Sequence, residues 1–78
     1  MNNHQKIKLQ ARHDGRVYVK EFNKPCRPQD GDWDTEAFLV ALQRLGIVSK
    51  DETLWEIYSE TLYETSEEIF NRKQGESQ

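Results

Sequence analysis

Both prolines of the chain fall in one short segment, Lys24-Pro25-Cys26-Arg27-Pro28-Gln29-Asp30-Gly31, and a glycine closes it. Proline lacks a backbone N–H and fixes φ, so neither a helix nor a central strand runs through this stretch. It splits a 78-residue chain into a short N-terminal arm and a longer C-terminal part. Neither piece is large enough to be a domain alone, so the expectation is one small domain in which the two halves pack together. The material for a core is limited. Leu, Ile, Val and Phe total 17 residues, only just above the roughly one-fifth below which chains stay disordered. A domain of this size buries about 60% of its unfolded surface, so a partner or a second copy adds useful stability.

The same segment separates two charge populations. Residues 1–29 hold seven Lys or Arg against Asp14 and Glu21, a net of +5, and residues 30–78 hold four against twelve, a net of -8. The whole carries -3. Either the basic half lies against the acidic half, or each pole is free to meet a partner. No apolar run approaches the ~20 residues of a membrane span. From the polar start, Met1 to Lys6, neither a secretory signal nor a lipid anchor is expected. A single cysteine, Cys26, forms no internal disulfide, which fits a reducing compartment. The expected location is cytoplasmic, and no membrane partner is expected.

In the N-terminal arm, Lys6-Ile7-Lys8-Leu9-Gln10-Ala11-Arg12 alternates polar and apolar, the period of a half-buried strand. Asp14-Gly15 supplies a type I′ turn, and Val17-Tyr18-Val19-Lys20-Glu21-Phe22 is rich in β-formers. Together these predict a hairpin over residues 6–23. A two-residue loop pairs His13 with Arg16 and sets Ile7, Leu9 and Ala11 opposite Phe22, Lys20 and Tyr18. Lys8 then faces Glu21 across the strands.

After the connector, residues 24–33, Asp32 or Asp34 can cap a helix over 34–45, with Phe38, Ala41, Leu42 and Leu45 on one face and Gly46 as its left-handed stop. Trp33 would act as a staple ahead of it. Ser49-Lys50-Asp51-Glu52 reads as a capping box opening a second helix over 50–72. Its inward stripe is Leu54, Tyr58, Thr61, Leu62, Thr65 and Ile69. Residues 1–5 and 73–78 have nothing to bury and are expected to be disordered. The predicted fold class is α+β, a two-stranded antiparallel hairpin packed on two helices in the order ββαα.

On the second helix Glu56, Glu60 and Glu64 recur every fourth residue and Glu67 continues the row, with Tyr63 and Phe70 beside it. Each step rises about 6 Å, a scale on which carboxylates can imitate a row of nucleic-acid phosphates. Aromatic anchors with guiding charges are the makings of a protein-binding face. A plainer reading is a solvated helix surface. The opposite pole, Lys8, Arg12, Arg16 and Lys20 with Tyr18 and Phe22 nearby, is a secondary basic surface able to track a phosphate backbone. The acidic pI near 5.3 opposes that use.

Nothing connects a nucleophile to a base. Cys26 has cations near it, but His4 and His13 stand at no motif spacing from it, so the chain is not expected to be an enzyme. The two histidines and the cysteine match no metal-ligand spacing, and the glycines form no phosphate-binding loop, so no metal or cofactor is expected.

The expected function is that of a small acidic binding protein, an inhibitor or regulator. It would occupy the surface of a larger, basic, nucleic-acid-binding protein through Glu56, Glu60, Glu64, Glu67, Tyr63 and Phe70. Phage or mobile-element blockers of a CRISPR effector, a polymerase or a nuclease work in this manner, an analogy of mode and not of descent. One alternative is a nucleic-acid accessory protein that uses the basic hairpin. Another is a homodimeric adaptor whose Tyr63 and Phe70 form the dimer interface.

Overall fold

The computed structural model describes residues 2–29, 31–49 and 51–76. Three helices account for most of them: α1 (Asn3–Phe22), α2 (Trp33–Leu45) and α3 (Thr53–Glu76). No strand occurs among the described residues, so the α+β class, the ββαα order and the hairpin over 6–23 are all replaced by an all-helical bundle.

The reason lies in a second period hidden in the N-terminal arm. Ile7, Ala11, Gly15, Tyr18 and Val19 are buried together in α1, and their spacings of four and three trace one face of a helix. The strand-like alternation shares only Ile7 and Ala11 with that face. Its middle apolar residue, Leu9, is 49% exposed, and Val17 is 38% exposed. A helix has more to bury here than a two-stranded hairpin does, and it satisfies its own backbone without open edges.

Gly15 does not supply the left-handed conformation that a type I′ turn needs. Among the described glycines only Gly31 and Gly46 have positive φ. Its value is smallness: a Cβ at Gly15 would stand 3.1 Å from Thr65 Cβ and Cγ2 and 3.3 Å from the Ser66 nitrogen. Its neighbour Asp14 is half-buried instead of at a turn tip, accepting hydrogen bonds from the Tyr58 hydroxyl at 2.5 Å and from Gln10 at 3.0 Å.

The helix ends show where local chemistry acts. Asn2 caps α1 by accepting from the Gln5 N–H at 2.9 Å, and Asn23 closes it in the left-handed region with φ 54°. At α2 the Asp32 side chain makes no capping bond, and Asp34 accepts from the Thr35 N–H at 2.8 Å. Gly46 (φ 67°) ends α2 in a Schellman arrangement, with the Ile47 N–H donating to the Leu42 carbonyl at 3.0 Å.

Asp51, not Ser49, caps α3, accepting from the Thr53 N–H at 3.0 Å and the Thr53 hydroxyl at 2.6 Å. The His4 ring also reaches Asp51, at 3.1 Å. Lys50 of the expected capping box lies outside the described residues, as do Met1, Ser77 and Gln78 of the expected disordered ends.

Chain direction follows from these contacts. His4 meets Asp51, Gly15 meets Thr65, and the N–H of Cys26 donates to the Ser66 hydroxyl at 2.8 Å, so α1 and α3 run parallel. α1 and α3 pack directly on each other, and α2 returns alongside them in the opposite sense. Trp33 packs on Tyr18 and Phe22 near the end of α1, with ring centroids 4.9 and 6.3 Å apart, and Phe38 packs on Trp55 and Tyr58 near the start of α3, at 5.3 Å in each case. The core between the helices is Ile7, Ala11, Tyr18, Cys26, Ala41, Ile47, Leu54, Tyr58 and Leu62. Trp33, read as a staple, thus joins α2 to α1, and Cys26, read as a loop residue, is buried.

Candidate functional site

α3 buries Leu54, Tyr58, Thr61, Leu62 and Ser66. At about 100° per residue Glu56, Glu60, Glu64 and Glu67 fall within about 80° of one another, on the side turned away from that stripe. All four are exposed, and none forms an ion pair among the described residues. Glu68, at the margin, takes Arg72 at 2.8 Å in a pair exposed at both ends, which contributes little to stability.

Tyr63 lies at the edge of this face. It is half-buried, and its hydroxyl donates to the carboxylate of Asp34, which is itself buried at the start of α2. Burial, and then the bond to Asp34, push the Tyr63 phenol well above the ordinary value near 10. Tyr58 is raised in the same direction by burial and by Asp14. Phe70 is half-buried. Of the six residues singled out on this helix, four carboxylates come together in solvent and the two aromatics stand at the edge, Tyr63 holding an interior partner.

The basic residues are not on a hairpin. Lys8, Arg12, Arg16 and Lys20 step along the outer side of α1 at every fourth residue, all exposed and none in an ion pair among the described residues. Asp14 is the sole acidic residue from Asn3 to Lys20, and it is turned inward onto Tyr58 and Gln10. The two poles therefore do not neutralise each other through direct pairs, and the basic row of α1 and the acidic row of α3 both stand in solvent.

Sequence reasoning missed the polar tie through the middle of the bundle: Asp14 to Tyr58, Asp34 to Tyr63, and the Ser66 hydroxyl donating to the Tyr63 carbonyl at 3.0 Å while accepting from Cys26. Among the described residues every buried side-chain polar atom has a partner. The available signal was Asp14, an acid in the middle of a basic arm, set opposite a helix carrying two tyrosines five residues apart.

A second feature is apolar. Leu39, Leu42, Ile47 and Val48 surround the end of α2, and Val48 is 100% exposed. Cys26 is buried beyond one end of α1 whereas His4 stands at the other, about 30 Å away along the helix. No cluster of three metal-ligating side chains occurs among the described residues, and no described helix is long and apolar enough to cross a membrane. Compared with known proteins, the chain matches no family model, no curated sequence and no solved structure.

Proposed function

We propose that this protein is a small protein-binding regulator that occupies the nucleic-acid-binding surface of a larger, basic protein. The observation that supports the reading is the outer face of α3, where Glu56, Glu60, Glu64 and Glu67 stand in solvent without an ion-pair partner. Like charges four residues apart cost a helix a few tenths of a kcal/mol per pair. A basic partner relieves that repulsion, and its lysines and arginines would meet carboxylates about 6 Å apart along the helix in place of phosphates. Tyr63 and Phe70 flank the row, with Tyr63 stiffened by its bond to Asp34. A rigid aromatic edge beside a charged face suits an interface because little side-chain entropy is lost on binding. A blocker of a nuclease, a polymerase or a CRISPR effector would work in this way.

The test compares what nuclease-treated host extract yields to wild-type protein and to a Glu56→Gln, Glu60→Gln, Glu64→Gln, Glu67→Gln variant, with circular dichroism confirming that the variant is folded. The expected result is a nucleic-acid-binding protein retained by wild type, lost from the variant, and released from wild type by added duplex DNA. Equal capture by both chains, or a partner that duplex DNA does not displace, overturns the reading.

A further inference from the structure

The outer side of α1 is as single-signed as that of α3, and it belongs to a different helix. Lys8, Arg12, Arg16 and Lys20 are exposed and unpaired among the described residues; of the two acids of α1, Asp14 is turned inward and the exposed Glu21 lies about 100° around the helix from Lys20. The four span about 18 Å along the helix axis and drift across about 120° of its circumference. Along a duplex that length faces about five phosphates of one strand, at about 3.4 Å each.

We infer that the α1 face is a docking surface for the phosphate backbone of double-stranded DNA, contacted by Lys8, Arg12, Arg16 and Lys20 without regard to sequence. Four other occupants fit less well. A helix that lies in a lipid surface needs its apolar side free, and here Ile7, Ala11, Tyr18 and Val19 are buried inside the bundle. Single strands are held by stacking aromatics, but Tyr18 is buried, and Phe22, though 43% exposed, packs tilted on Tyr18 and edge-on to Trp33 and lies about 160° around the helix from Lys20, so the basic row carries no run of rings for successive bases.

A second copy would present the acidic face of its α3. Exposed ion pairs are too weak to offset the freedom lost when two molecules join. DNA supplies what carboxylates lack, the entropy of counterions released from a condensed layer. The wide major groove of B-form DNA also admits a helix, whereas that of duplex RNA does not. The net charge of -3 weakens long-range attraction but leaves the local field of this face intact.

The inference does not rest on the α3 reading. Binding of the full chain to a random-sequence DNA duplex is measured by fluorescence anisotropy between about 50 and 200 mM salt, where four phosphate contacts give a slope of log K against log salt near -3.6. Arg12→Gln with Arg16→Gln is expected to bring the slope to about -1.8, and substitution of all four by Gln to abolish binding. The α3 glutamine variant is expected to keep the wild-type slope, so failure of the α3 reading and failure of this one are separable.

Four outcomes overturn the inference: no binding at the lowest salt, a slope that the arginine variants leave unchanged, tighter binding to single-stranded DNA, or equal binding to duplex RNA. So does preferential attachment to anionic vesicles, or a self-associated form in sedimentation that both the α1 and the α3 variants disperse. The substituted side chains are all exposed, and circular dichroism confirms that each variant is folded.

Discussion

Two glycines in helices show how differently one residue type can serve. Gly15 sits where α1 packs against α3, and a Cβ there would meet Thr65 at 3.1 Å, while Gly75 has nothing within 4 Å. Thr65 is β-branched and held by its backbone, so it cannot swing aside. Gly15→Ala should therefore lower stability by about 1–2 kcal/mol, the cost of overpacking less the better helix propensity of alanine. Gly75→Ala should raise it by up to about 1 kcal/mol. Urea midpoints measure both, and a Gly15→Ala chain as stable as wild type would remove the close-approach argument.

The tyrosines add a pH dependence whose sign follows from burial. The Tyr58 and Tyr63 phenols are raised, first by burial and then by the carboxylates they bond, Asp14 and Asp34. The unfolded chain ionises its tyrosines near pH 10, about where free phenols do, while the folded chain holds the protons. The stability linked to them is complete below about pH 10 and falls as pH rises above it. Urea unfolding followed across that range should show the midpoint dropping, with the dependence flattened in a Tyr58→Phe, Tyr63→Phe variant. Tyrosinate absorbance appearing in the folded protein at the ordinary pH for all its tyrosines would contradict this.

At the scale of elements, α1 is where local pattern and tertiary packing disagree. The alternation Lys6 to Arg12, the Asp14-Gly15 pair and the β-branched run after it agree with one another as a hairpin, and they are all local. The helical stripe Ile7, Ala11, Gly15, Tyr18 becomes decisive only when α3 is there to cover it, because packing against a partner outweighs propensity.

The two arrangements make different demands on Leu9. In a hairpin Ile7 and Leu9 share one covered face, whereas in α1 Ile7 is fully buried and Leu9 is largely exposed. Ile7→Ala is expected to cost about 2–5 kcal/mol and Leu9→Gln no more than about 0.5 kcal/mol. Thermal or urea unfolding of the two variants checks the pair, and similar large losses from both would restore the hairpin. The second and third helices were more legible, since Phe38, Ala41, Leu42 and Gly46, and likewise Leu54, Tyr58 and Leu62, carry the helical period with no competing one. The capping residue at α3 was misplaced by two positions, Asp51 serving instead of Ser49, because several polar side chains there can take the role and the entering chain decides which.

For the whole molecule, the charge division along the sequence becomes a division between faces. Six like-charged pairs stand four residues apart, three from Lys8 to Lys20 on α1 and three from Glu56 to Glu68 on α3. Each repels by a few tenths of a kcal/mol, and salt screens them. Stability should therefore rise with added sodium chloride, by about 1–2 kcal/mol at most, as read from the urea midpoint at low and high salt. If the poles paired within the molecule, salt would lower the midpoint instead, and the exposure of both faces would have to be given up.

The sequence by itself determined the connector at Pro25 to Gly31, the helical period of the C-terminal half, the thinness of the core and the segregation of charge. Each of these follows from residue type and near-neighbour spacing, through steric limits, periodicity and Coulomb repulsion. Tertiary structure alone decided that the N-terminal arm is a helix, that Gly15 is needed for its size, that Asp14 and Asp34 turn inward to the tyrosines, and that the acidic and basic rows emerge on separate helices. Those outcomes depend on which surface is near enough to bury a stripe or accept a hydrogen bond, a property of residues some 30 to 50 positions apart that no local pattern encodes.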